Sequence, residues 1–126
     1  MKRVLLLLAS LALVLAASLA LADSGAKGKV GTWKGEVVDA GCYLGRGASG
    51  EKHKECALRC ARDGMPIMLL TSDGKVSLLT PNHDNADPYE KLKGWAGSMV
   101  EVTGTLSTRG GASGIDVTDA KLAAAK

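Results

Sequence analysis

Residues 67–105 read IMLLTSDGKVSLLTPNHDNADPYEKLKGWAGSMVEVTGT. Ile67 to Thr71 is a short apolar run, and Ser72-Asp73-Gly74-Lys75 breaks it with the Asp-Gly pair that favours a tight hairpin turn. Val76 to Leu79 is the returning strand, and Pro81 to Asp87 is a polar loop. Pro88 to Trp95 then predicts one or two helical turns, with Pro88 in the first turn, where its missing N–H costs nothing. From Ser98 to Thr105 the chain alternates, Met99, Glu101 and Thr103 against Val100, Val102 and Gly104, as a half-buried strand does.

The same reading extends outward in both directions. Thr108 to Gly114 is a Gly/Ser loop, and Ile115 to Leu122 alternates again. Upstream, Trp33 to Asp39 predicts a strand with Trp33, Gly35, Val37 and Asp39 on one face. Gly35 inside it signals a bulge or a close backbone approach. Gly45 to Gly50 is a loop by its glycines, and Glu51 to Asp63 is a helix, with Ser49 placed to cap its start and Gly64 its end. The resulting order is β-α-β-β-α-β-β. Five strands with a helix between the third and fourth predict a mainly β chain with one or two short helices: a small five-stranded OB-like barrel with a Cys/His helix inserted after the first strand.

The ends lie outside that domain. Met1-Lys2-Arg3 followed by uncharged residues from Val4 to Ala22, closing on Ala20-Leu21-Ala22, has the parts of a secretory signal peptide with its cleavage site. The competing reading is an uncleaved membrane anchor, since the run is just long enough to span a bilayer. The expected organisation is residues 1–22 as a removed signal, 23–31 as a flexible leader, 32–122 as one domain and 123–126 as a frayed tail. The expected location is periplasmic or extracellular. Removing Lys2 and Arg3 with the signal lowers the formal charge of +3 to +1. That removes the electrostatic case for nucleic acid, which needs surplus cations to displace counterions. After cleavage nothing else in the chain is apolar enough to hold it in a membrane. Two Trp, two Tyr and no Phe make a thin core, so a covalent or metal staple would help a domain of this size.

Three cysteines in an exported chain, an odd number, are where the chemistry concentrates. They stand as Cys42-x10-His53-x2-Cys56-x3-Cys60. At about 100° per residue, His53, Cys56 and Cys60 fall on one helical stripe. Cys42, just past the first strand, could face that stripe across the glycine loop. Four such donors make a Cys3His set, which suits tetrahedral zinc, and thiolates equally suit Cu(I). The ligands must be deprotonated, so affinity should fall with pH. The rival explanation is a disulfide from Cys42 to Cys56 or to Cys60, contributing about 3 kcal/mol. Cys56 and Cys60 pair poorly with each other, being i, i+4 with roughly parallel side chains. A third explanation is a redox-active thiol.

Neighbouring residues extend these readings. Asp39 could orient a ligand histidine from outside the metal's own shell, or could simply form the turn at the strand end. Met65 and Met68 could lend thioethers to copper, though methionine more often fills core. His83 with Asp84 and Asp87 reads as a solvated polar loop, and Trp33 and Trp95 as core rather than as stacking platforms for a sugar or base. There is no G-x-S-x-G, C-x-x-C, H-E-x-x-H or phosphate loop, so no enzymatic activity is expected. A disulfide-stapled module that engages a protein or a glycan is the alternative to a metal-binding role.

GEVVDAGCY (35–43), HKECALRC (53–60), Gly64, DGKV (73–76), WAG (95–97) and VEVTGT (100–105) together resemble a group of small, uncharacterised exported bacterial proteins. Those proteins join a G-x-V-x-D-x-x-C strand, an H-x2-C-x3-C helix and a V-x-V-x-G strand. The resemblance implies an OB-like barrel and a functional unit made of Cys42, His53, Cys56 and Cys60. It implies no activity, because a fold does not fix a function.

Overall fold

The computed structural model describes residues 28–124. The signal segment at 1–22 and most of the leader lie outside the described residues. Strand β1 spans Lys29–Asp39 and is followed by helix α1, Ala40–Arg46. A 3-10 turn at Glu51–His53 leads into helix α2, Lys54–Arg62. Strands β2, Ile67–Thr71, and β3, Val76–Pro81, precede helix α3, Asp87–Lys93. Strands β4, Met99–Arg109, and β5, Ala112–Leu122, complete the fold. Among the described residues no helix is long and apolar enough to cross a membrane.

The strands close a barrel in the order β1-β2-β3-β5-β4. Every neighbouring pair is antiparallel except β3 with β5, where Leu78–Pro81 runs parallel to Gly114–Val117. With α3 between β3 and β4, this is the expected OB-like arrangement. All five strands turn apolar residues inward: Val37, Ile67, Leu69, Leu79, Val100, Val102, Ile115 and Val117, together with Leu92 of α3 and Ala96. Trp33 and Trp95 are partly buried against this core, which is where so small an aromatic supply is worth most. At Gly35 the strands approach so closely that a Cβ would strike the Leu70 carbonyl of β2. The bulge lies instead in the β4–β5 ladder, between Thr103 and Gly104.

Several boundaries differ from the sequence pattern. Lys29 to Gly31, expected in the leader, extend β1 because they pair with Leu106 to Gly104 of β4. The Gly/Ser stretch from Thr108 to Gly114 is no loop. The ladder continues to Thr108–Ser113 and Arg109–Ala112, and Gly110-Gly111 alone make the turn, with φ of 56° and 80°. Both central residues of such a turn need positive φ, which glycine supplies at no steric cost. Part of the glycine loop after β1 is helix α1. The single helix expected from Glu51 to Asp63 divides at His53, and its start is capped by no side chain, Ser49 included. In the expected tail, Ala123 is tied down by donating its N–H to the Met99 carbonyl at 2.9 Å.

Candidate metal centre

The site is built where β1 leaves the barrel. Asp39 ends β1 on the same face as Val37, and its side chain is fully buried. A buried carboxylate must be hydrogen-bonded on both oxygens to be tolerated. Oδ1 accepts from the Cys42 backbone N–H at 2.8 Å, which makes Asp39 the N-cap of α1. Oδ2 lies 3.1 Å from His53 Nε2. One carboxylate thus anchors the start of α1, which carries Cys42, and the ring of His53. Burial works against its charge, but the Cys42 N–H and the His53 hydrogen bond outweigh burial and hold the Asp39 carboxyl below its ordinary value.

Two further contacts hold the segment between the helices. Gly50 donates its N–H to Glu36 Oε1 at 2.6 Å, tying the α1–α2 connection back to β1. His53 donates its own N–H to the Gly50 carbonyl at 2.9 Å, closing the 3-10 turn just before α2. Helix α2 then docks through Ala57 and Ala61, which are buried in the barrel core. Small side chains one turn apart let the helix backbone come close to the barrel. Cys56 and Cys60 precede these alanines by one residue each, about 100° round the helix, and are half-buried at its flank.

The far end of α2 folds back onto α1. Gly64 adopts φ 96°, Met65 donates its N–H to the Cys60 carbonyl at 2.9 Å, and Gly64 donates to Ala61 at 3.3 Å. This is the capping pattern that the position of Gly64 predicts. It places the Met65 thioether against Gly41, in the space that a side chain at residue 41 would need. Met68 belongs to the β1–β2 ladder opposite Val38, and both are buried.

The sequence-predicted donors come together. The donor atoms of Cys42, His53 and Cys56 lie within 4.8 Å of one another, and those of Asp39, Cys42 and Cys60 do the same. Cys42 belongs to both groups. All three cysteines are free thiols. The ring of His53 is 15 % exposed, so the cluster is sheltered yet reachable from solvent. The Asp39 bond to Nε2 also sets the tautomer. A carboxylate acceptor places the proton on Nε2 and leaves the lone pair on Nδ1, as in carboxylate–histidine–metal arrangements. The Cys60 thiol is pushed up to about 11, first by burial, then by the negative charge of Asp39 and the adjoining Cys56 thiol. A metal binding there would have to displace that proton.

The sequence pattern gives no plain hint of one participant. Arg46, one turn after Cys42 on α1, donates from Nη2 to Cys42 Sγ at 3.3 Å. That contact raises the guanidinium pKa further. The signal is the i, i+4 spacing of Cys42 and Arg46, which the glycines from Gly45 to Gly50 mask by reading as a loop. His83 joins neither donor group. It is exposed, as are Asp84 and Asp87, whose backbone N–H groups bond to Asn82 and Asn85 in local turns. Comparison of the chain with protein-family models, curated proteins and solved structures finds no match.

Proposed function

We propose that this chain is a small exported metal-binding protein whose ligands are Cys42, His53, Cys56 and Cys60. The observation that carries this reading is the convergence of donors from separate elements. Cys42 on α1, His53 at the end of the 3-10 turn and Cys56 on α2 have their donor atoms within 4.8 Å of one another, and Cys60 lies as close to Cys42. A Cys3His set suits zinc in a structural or sequestering role. Asp39 hydrogen-bonds the ligand histidine, which is how such sites fix the ring and raise its basicity, and a carboxylate oxygen of Asp39 also lies within 4.8 Å of the Cys42 and Cys60 sulfurs. Cu(I) is the second reading, favoured by the Met65 thioether packed on the residue before Cys42. The role is one of binding rather than catalysis, and the signal segment at 1–22 delivers the protein to the periplasm or the exterior.

Native mass spectrometry of residues 23–126, purified from the periplasm without reductant, tests this, with thiol alkylation in parallel. The expected result is one bound zinc or copper, released by chelator or acid, after which all three cysteines alkylate. A protein without metal, two hydrogens light and with one alkylatable cysteine would overturn the metal reading. It would identify instead a disulfide-stapled module whose partner, a protein or a glycan, must be sought on the barrel surface.

A further inference from the structure

We infer that the same cluster performs thiol–disulfide exchange with small disulfides, with Cys42 as its pivot, and that the exchange ejects the metal. This rests on the metal reading only for its second half. Cys42 Sγ lies within 4.8 Å of a donor set containing Cys56 and of one containing Cys60, so either thiol can reach it after a modest side-chain rotation. Cys56 and Cys60 occupy successive turns of α2, and although their thiols adjoin, the i, i+4 spacing of one rigid helix is a poor geometry for a disulfide. The favoured intramolecular disulfides therefore contain Cys42. Helix α1, which carries it, buries none of its residues completely, and Cys42 is half-buried, so its sulfur keeps an edge toward solvent. The Arg46 guanidinium, 3.3 Å from that sulfur, is placed to balance the negative charge that passes through it during exchange.

The chemistry balances with a small disulfide as oxidant. The Cys42 thiolate attacks one sulfur, the S–S bond of the small molecule breaks, and one thiolate leaves. The sulfur of Cys56 or Cys60 then attacks Cys42 in the mixed disulfide and expels the second thiolate. Two electrons pass from the protein to the small disulfide, and the two cysteine protons end on the two released thiols. The bridge removes two thiolates from the metal site and leaves at most one thiol and His53, too few to hold a tetrahedral ion.

The test treats the metal-free protein and the zinc-loaded protein with oxidised glutathione, followed by peptide mapping and a zinc-sensitive dye. In the metal-free parent, Cys60→Ser and Cys56→Ser, one bridge forms and always includes Cys42. In Cys42→Ser, bridge formation slows by at least about tenfold and mixed disulfides with glutathione accumulate. In the zinc-loaded parent, zinc appears in solution in step with the bridge. A Cys56–Cys60 bridge forming in Cys42→Ser at the parent's rate would overturn the inference, as would bridging that leaves zinc bound. If the protein takes up no zinc at all, the metal reading fails while the Cys42-centred bridging map still decides the exchange.

Discussion

Replacing Asp39 by Asn separates the two tasks of its carboxylate. Asn caps helices about as well as Asp. The Cys42 N–H needs an acceptor, so the amide oxygen would turn to it and preserve the 2.8 Å capping bond. The amide NH2 must then face His53 Nε2, which now has to accept. The proton moves to Nδ1, and the Nδ1 lone pair that the proposed metal would use is lost. Asp39→Ala removes both bonds. Losing the cap costs about 1 kcal/mol, and losing the bond to His53 costs about another 1 kcal/mol.

The expected pattern is therefore a dissociation of stability from affinity. In urea titrations of the metal-free protein, Asp39→Ala should lose about 2 kcal/mol and Asp39→Asn no more than about 1 kcal/mol. In competition with a chromophoric chelator, Asp39→Asn should nevertheless bind zinc about 10- to 100-fold more weakly, the usual cost of removing a carboxylate behind a ligand histidine. That corresponds to about 1.4–2.7 kcal/mol. An Asp39→Asn variant that binds zinc as tightly as the parent would refute the tautomer argument. If it were instead as unstable as Asp39→Ala, the capping argument would fail.

Other predictions follow from the same structure. Gly35→Ala should destabilise by about 1–3 kcal/mol in urea unfolding, because its Cβ meets the Leu70 carbonyl, part of the barrel wall, rather than a side chain that could move aside. The Asp39 carboxyl is held below the ordinary 3.8, so its contribution to stability is fully present above that value and is lost as pH falls through the lower folded value. Urea midpoints between pH 5 and about 2.5 should fall more steeply for the parent than for Asp39→Asn. With Cys60 pushed up to about 11, zinc must displace its proton, so affinity measured by chelator competition should rise steadily from pH 6 to about 8 and proton release should accompany loading.

The barrel was legible because its strands obey a period of two. Val37, Val100, Val102, Ile115 and Val117 could be assigned to the inner face without coordinates, and the Asp73-Gly74 pair marked the hairpin. What escaped the pattern depends on contacts distant in sequence. Lys29 to Gly31 look like leader because nothing local favours a strand; their pairing with β4 makes them one. Thr108 and Ser113 read as loop, yet they face each other beyond a two-residue turn and join hydroxyls at 2.8 Å. Helix α1, AGCYLGR, carries two glycines and no apolar stripe and has no buried residue, so propensity alone gives it little reason to form. It forms from the Asp39 cap.

That dependence connects the legible half of the site to the illegible half. The placing of Cys56 and Cys60 on one side of α2, with His53 just before its first turn, could be drawn from spacing alone. The arrival of Cys42 beside them could not, because it requires the chain to turn sharply as it leaves β1. Turn formation and ligand orientation looked like rival explanations of Asp39 when only its place in the sequence was known. They are the work of its two oxygens. Oδ1 starts the helix that delivers Cys42, and Oδ2 holds the histidine that meets it. The end of β1, where Val37, Val38 and Asp39 are all buried, encloses the carboxylate, and burial makes both bonds obligatory. The barrel thus fixes the position of Asp39, and Asp39 sets the geometry of the donor cluster.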